Sequence, residues 1–118
     1  MNLFQINSVK YSSEIRNIFA ACEDKMVRIF SYDDTKIIKK LDNGVNDAIN
    51  CLELYKTNFI VAGCQNGGLK IWDRRTYKLL IDKKAHKTKY DEGILCLRTT
   101  DQGIFTGGAD GVINFYTI

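Results

Sequence analysis

The sequence predicts an all-β protein made of three repeated units, and three observations support that prediction. The first is the stretch Phe59 to Arg75, FIVAGCQNGGLKIWDRR, where an apolar run meets Asn66-Gly67 and then a run alternating apolar with polar residues. Asn-Gly between two such runs signals a β-hairpin, because a tight primed turn needs positive φ at its centre. The second is recurrence. Ala20 to Phe30 and Phe105 to Tyr116 repeat the layout, and taking Ala21, Gly63 and Gly107 as equivalents the offsets are 63 − 21 = 42 and 107 − 63 = 44 residues. Copies at a fixed period mark a repeat architecture. The third is composition: six Phe, six Tyr, one Trp and no Pro favour strands, while nine Gly supply turns.

In chain order, Phe4 to Tyr11 reads as a strand, Ser12 to Asn17 as a polar turn and Ile18 to Cys22 as a second strand. Glu23-Asp24-Lys25 turns the chain into Met26 to Phe30, where Val27 and Ile29 share one face and Arg28 points to the other. Lys36 to Leu41 is a fourth, Lys-rich strand, the charge pattern that blunts an exposed sheet edge. After the linker Asp42 to Asp47 the order restarts with Ala48 to Tyr55, whose near-continuous apolar character fits an inner, doubly covered strand. Phe59 to Cys64, Leu69 to Asp73 and Tyr77 to Asp82 complete the second unit, with Lys70 at the position of Arg28. The third unit has Gly93 to Arg98, Gly103 to Gly108 and Val112 to Thr117 and then stops, so eleven strands are expected. The expected core is Ile29, Cys51, Leu54, Val61, Leu69, Ile71, Leu97, Ile113 and Phe115.

At these residues the sequence resembles the WD-repeat family, the four-stranded blades of β-propellers, over essentially its whole length. Trp72-Asp73 matches the dipeptide that names the family, and a period near 44 suits one blade. The resemblance implies about three four-stranded antiparallel blades at approximately 4–41, 48–82 and 93–118, with innermost strands near 4–11, 48–55 and 93–99 and the last blade lacking its outer strand. It places the hairpins Cys22/Met26, Cys64/Leu69 and Gly108/Val112 outward of those strands. It also implies a hydrogen-bonded blade network: His86, Thr106 and Asp110 in the third unit, with Tyr116 where the family has Trp. The second unit keeps Trp72 and Asp73 but has Ala62 for the hydroxyl and Asn66 for Asp, while the first keeps only Asp24, with Ala20 and Phe30. Lys87 to Glu92 sets His86 about three residues further from its inner strand than the family pattern.

Closed propellers have typically 4–8 blades, so three are too few to surround a channel. The resemblance therefore implies a partial propeller, the C-terminal portion of a longer one or a piece completed by other copies or by another subunit. Phe4 and Val9 at one end and Ile113 and Phe115 at the other would be exposed flanks, and the chain alone is not expected to be a stable monomer.

The same residues bear on chemistry. Cys22 with Cys64, and Cys51 with Cys96, fall at equivalent positions, as a small buried apolar residue would. No CxxC pair is present, and no cofactor is expected, although Cys51, Cys96 and His86 from adjacent blades form a conceivable zinc set. His86 has no nucleophile in a recognisable motif beside it, so a structural hydrogen bond is its expected role rather than general-base work. Asp24, Asp73 and Asp110 stand at turns, where Asp is favoured for backbone hydrogen bonding. A hydrolase or metal-dependent enzyme on a propeller is thus the less favoured class.

Lys83, Lys84, Lys87 and Lys89 in one loop and Arg74 and Arg75 in another could form a rim for RNA or an acidic peptide. Asp82, Asp91 and Glu92 interrupt that rim, no RNA-binding aromatic motif accompanies it, and the net charge is only +3, so nucleic acid is not the expected partner. Ile60 to Arg75, ending Trp72-Asp73-Arg74-Arg75, resembles the box by which some WD-repeat proteins dock on the adaptor of cullin-based ubiquitin ligases. The expectation is a non-catalytic protein-interaction scaffold presenting Arg74, Arg75 and the 83–92 loop. The chain has no apolar run near the roughly 18 residues of a membrane span and no signal-peptide h-region at its start, so a cytoplasmic or nuclear setting is expected, without a membrane partner.

Overall fold

The computed structural model describes residues 5–41 and 47–117, and eleven strands within them form three antiparallel sheets. The first sheet is a meander of β1 (Ile6–Ser12), β2 (Asn17–Cys22), β3 (Val27–Ser31) and β4 (Ile37–Leu41). The second contains β5 (Ile49–Tyr55), β6 (Phe59–Cys64), β7 (Gly68–Asp73) and β8 (Leu79–Lys84), and the third β9 (Ile94–Thr99), β10 (Ile104–Gly108) and β11 (Ile113–Tyr116). The first strands of the three sheets lie side by side, β1 against β5 and β5 against β9, so the sheets stand in series like blades around an axis. Phe4, Met1 to Leu3, most of the Asp42 to Asp47 linker and Ile118 fall outside the described residues.

The repeat extends to register. Each inner strand carries a one-residue bulge at the same place: Asn7 between the Ile6 and Ser8 pairings, Asn50 between those of Ile49 and Cys51, and Leu95 between those of Ile94 and Cys96. The hairpins differ from the expected primed turn. Gly67 N–H closes on the Cys64 carbonyl at 3.0 Å, and φ is positive at Gly67 (+86°) but not at Asn66. The connection is thus three residues ending in one left-handed position, the bulged loop that is the next solution after the two-residue turn. Gly111 (φ +78°) and Lys25 (φ +71°) hold the same position in the other two sheets. The left-handed Tyr77 (φ +60°) belongs to the β7–β8 turn, so β8 starts two residues later than expected and runs on to Lys84. Lys83 and Lys84 are therefore strand residues paired with Leu69 and Gly68, not loop residues.

The core lies between sheets. Phe19, Val27, Ile29 and Leu41 of the first sheet meet Ile49, Leu52, Ile60 and Trp72 of the second. Val61, Leu69 and Ile71 on the opposite face of the second sheet meet Ile94, Leu97 and Ile104 of the third. Of the expected core, Cys51 and Leu54 are only partly buried, while Ile113, 78% exposed, and Phe115, 46%, are not core residues but the exposed flank that the count of blades also predicts. Both sit on the face of the third sheet that no described sheet covers, as Val9 sits on the uncovered face of the first. Cys96 is exposed for the same reason, against the expectation of burial. Arg28 and Lys70 are buried because each has a carboxylate, Asp24 and Asp82 respectively.

Candidate functional site

The densest polar constellation gathers at His86. The chain leaves β8 and crosses to the third sheet over the Gly67 hairpin, whose carbonyl accepts from both Ala85 N–H (2.9 Å) and His86 N–H (3.2 Å). That close approach requires glycine: a Cβ at Gly67 would overlap the His86 carbonyl oxygen, and a Cβ at Gly108 would overlap the imidazole itself. The ring is thereby enclosed, with its side chain fully buried.

His86 Nδ1 lies 2.9 Å from Asp110 Oδ1 and 3.2 Å from Oδ2, and Nε2 lies 2.7 Å from Thr106 Oγ1. A carboxylate only accepts, so Nδ1 carries the proton, and in the neutral ring Nε2 accepts from the Thr106 hydroxyl. Asp110 also accepts from the backbone amides of Val112 (3.1 Å) and Lys87 (3.2 Å). Burial pushes the Asp110 carboxyl up, but the His86 bond and those amides together outweigh it and hold the group below the usual carboxylate range. Three of the named residues thus meet: His86, Thr106 and Asp110. Tyr116 packs against the core between the second and third sheets, with Lys83 Nζ 4.5 Å above its ring.

The equivalent corners of the other sheets are built differently. In the first, Asp24 takes both nitrogens of Arg28, at 2.9 and 2.6 Å, and that fork holds its carboxyl low. In the second, Asn66 Oδ1 accepts from Gly68 N–H at 2.9 Å. Trp72 is fully buried in the core between the first and second sheets, and Asp73 caps the following turn by accepting from Arg75 N–H at 2.8 Å, the largest cause of its lowered pKa.

The basic residues divide. Arg74 is tied down, Nε to the Thr57 carbonyl (3.1 Å) and Nη2 to Asn58 Oδ1 (3.0 Å), whereas Arg75 is exposed and its guanidinium reaches Asp73 at 3.3 and 3.4 Å. A groove of about 640 Å³ opens beside His86 between Lys84, Lys87, Val112 and Asn114. Lys89 and Glu92 close a tight hairpin through reciprocal backbone bonds of 2.8 and 3.0 Å, placing Tyr90 87% exposed at its tip. Among the described residues no three His, Cys, Asp or Glu side chains converge on a point where they could hold a metal. Burial pushes the Cys51 thiol up to about 12 and the Cys64 thiol to about 11, so neither is a ready thiolate ligand or nucleophile.

Two sets of contacts escaped sequence reading. Asn7 and Asn50, the bulge residues, donate their side-chain amides to the next sheet, to the Ile49 carbonyl (2.8 Å) and the Ile94 carbonyl (3.0 Å). Glu53 sits between Lys10 (2.9 Å) and Arg98 (3.6 Å). These three charges pair with Val61, Phe19 and Phe105 respectively, the same register position in each sheet. The recoverable signal is their spacing, 53 − 10 = 43 and 98 − 53 = 45, which tracks the repeat.

No family model matches the sequence. Curated relatives do, at low identity over nearly all of it. A WD repeat-containing protein 55 homolog of Drosophila ananassae is 26% identical over 112 residues, 93% of this chain and 22% of the relative. The WD repeat-containing protein 55 of Rattus norvegicus is 21% identical over 117 residues, 99% of this chain and 30% of the relative. The crystal structure of the computationally designed Ika8 protein superposes with a TM-score of 0.79 and 20% identity, over 96% of this chain and 33% of that one. Over nearly its whole length the chain is similar to these WD repeat-containing proteins. It spans between about a fifth and a third of the length of these WD-repeat relatives, and its three sheets are consistent with blades of a partial propeller.

Proposed function

We propose that this WD-repeat chain is a non-catalytic protein-interaction scaffold, part of a larger propeller or complex completed by other copies or another subunit. The observation that carries the reading is the state of His86: fully buried, with both ring nitrogens engaged by Thr106 and Asp110. A general base needs a nitrogen free to reach a substrate, and this ring has neither access nor spare valence. What the fold leaves outward is a set of loop groups, Arg75, Lys87 and the Lys89-Tyr90 tip. Four free cysteines, two of them buried with no disulfide partner, fit a reducing cytoplasmic or nuclear setting. The test is capture of protein partners by the wild-type chain and by a variant carrying Lys87→Glu, Lys89→Glu and Tyr90→Ala. The variant should keep the unfolding midpoint and lose partners that the wild type retains. Identical capture by both, or turnover abolished by His86→Gln in a hydrolase screen, would overturn the reading.

A second, narrower reading rests on Arg75. Of the two arginines that end the Trp72-Asp73-Arg74-Arg75 box, Arg74 is spent on the β5–β6 turn and Arg75 is presented to solvent. Docking on the adaptor of a cullin-based ubiquitin ligase would use Arg75. Pull-down of that adaptor should fail with Arg75→Ala while Arg74→Ala changes fold stability instead, and unchanged adaptor binding by Arg75→Ala counts against it.

A further inference from the structure

The outer face of the third sheet is structurally the face that, in the first and second sheets, is covered by the next sheet. Phe105, Ile113 and Phe115 occupy the register positions of Val61, Leu69 and Ile71, which are buried against the third sheet, yet here all three are exposed. The built-in socket is repeated too. In the second sheet the Ile94 side chain seats on Gly63 beside Cys51, so closely that a Cβ on Gly63 would overlap both. In the third sheet the equivalents are Gly107 and Cys96, where an added Cβ would meet only the Cys96 sulfur and a cavity of about 140 Å³ lies between Cys96, Phe105 and Ile113. Four residues beyond each seated isoleucine stands the charge of the inner strand: Ile49 is followed by Glu53, and Ile94 by Arg98. Those charges alternate, Lys10, Glu53, Arg98, so each contact between adjacent sheets pairs opposite signs. The Arg98 side chain, whose Nη1 donates to the Leu97 carbonyl at 3.0 Å, is 78% exposed on this face.

We propose that this face receives a β-sheet of a different sequence whose inner strand carries an apolar knob for the Gly107/Cys96 socket and, four residues on, a carboxylate for Arg98. The inference rests on reading the chain as part of a larger propeller. A second copy fits the socket but not the charge. Its first sheet offers Ile6 at the knob position and Lys10 four residues later, which would set Lys10 against Arg98. Like charges across an interface suppress the wrong partner while the apolar faces match. At the bulge the third sheet has Leu95 where Asn7 and Asn50 donate their amides, so this contact is made by apolar packing rather than by the side-chain hydrogen bond of the two internal ones.

The probe is a second copy of the full chain carrying Lys10→Glu, which presents the Ile-x-x-x-Glu pattern. Its association with labelled wild-type chain, followed by sedimentation, should be about tenfold tighter than wild type with itself and should weaken with salt. Arg98→Glu in the receiving chain should erase that gain. Because Lys10→Glu also removes the Lys10–Glu53 pair, Lys10→Gln serves as a second probe and should give a smaller gain in the same direction. Wild-type self-association as tight as that with either probe, no association of either probe, or a gain that survives Arg98→Glu would overturn the proposal. None of these outcomes depends on the outward loops, so a failure here is separable from a failure of the scaffold reading.

Discussion

The corner of the first sheet and the corner of the third solve one problem with different residues. Each hairpin points a carboxylate, Asp24 or Asp110, at its own turn, and each must supply it with hydrogen-bond donors in a partly buried place. In the first sheet the partner comes from the same hairpin, Arg28 four residues on. In the third the partner is His86, 24 residues away on the connection from the second sheet, and Thr106 lies a further 20 residues from it. The local pair lies within one hairpin, whereas the histidine ties a crossing segment to β10 and to the turn that follows it. A blade corner can therefore be a self-contained clip or a rivet between sheets, and the second kind should matter more.

Breaking the rivet is the largest effect expected. His86→Ala removes both ring contacts, leaves the buried Thr106 hydroxyl without its partner and opens a space the size of an imidazole, so a loss of about 3 kcal/mol is predicted from denaturant midpoints. Amide exchange should rise in both β10 and the 85–93 connection, because the residue joins them.

The clip should break more gently. Asp24→Asn leaves the Arg28 guanidinium buried against a neutral amide, and because both side chains retain some exposure the loss should be about 1–2 kcal/mol, confined to the first sheet. Acid sharpens the comparison. Asp24 and Asp110 both have folded pKa values held below their unfolded ones, so their contribution is fully present above the unfolded value of about 4 and is lost as pH falls from there through the lower folded values. Unfolding midpoints measured downward from pH 6 should fall for the wild type and fall less for Asp24→Asn. A variant as acid-sensitive as the wild type would remove Asp24 from the account.

Thr106→Val tests how much of the rivet is the hydroxyl. The shape is conserved and one bond to His86 Nε2 is lost, for about 1 kcal/mol. The second sheet already has Ala62 at that position, where apolar packing with Trp72 in the same core takes the place of the hydroxyl.

The pattern of strands was legible because each boundary is written in local chemistry: Gly or charged turns, Lys-rich outer strands, and apolar runs of the right length. All eleven strands are present near their expected places. What was not legible depends on neighbours. By alternation Ile113 and Phe115 read as core, and only the count of blades, which leaves the last one without a covering sheet, marks them as an exposed flank. That Arg28 and Lys70 are buried on the face opposite their apolar neighbours follows from carboxylates that come from a turn and from an outer strand. The cross-sheet amides of Asn7 and Asn50 depend on the bulges that aim them at the next sheet, which the strand pattern does not report. His86 reads as displaced by its long loop, yet the Lys89–Glu92 hairpin takes up the extra residues and returns the chain to register.

The smallest expected effect concerns the residue that closes each corner. Gly67 and Gly111 take positive φ without penalty, but in the first sheet Lys25 holds the same left-handed position at +71°. A side chain there costs about 1–2 kcal/mol in backbone strain, while glycine costs about 0.5–1 kcal/mol in unfolded-state entropy, so the two nearly cancel. Lys25→Gly should then stabilise the chain by only about 0.5 kcal/mol, and it should do so equally with Asp24 intact or replaced by Asn, since the turn backbone and the Asp24–Arg28 pair are separate contributions. Destabilisation by Lys25→Gly would mean that the lysine does more in the clip than turn the chain, and the first corner would no longer be self-contained in its Asp-Arg pair.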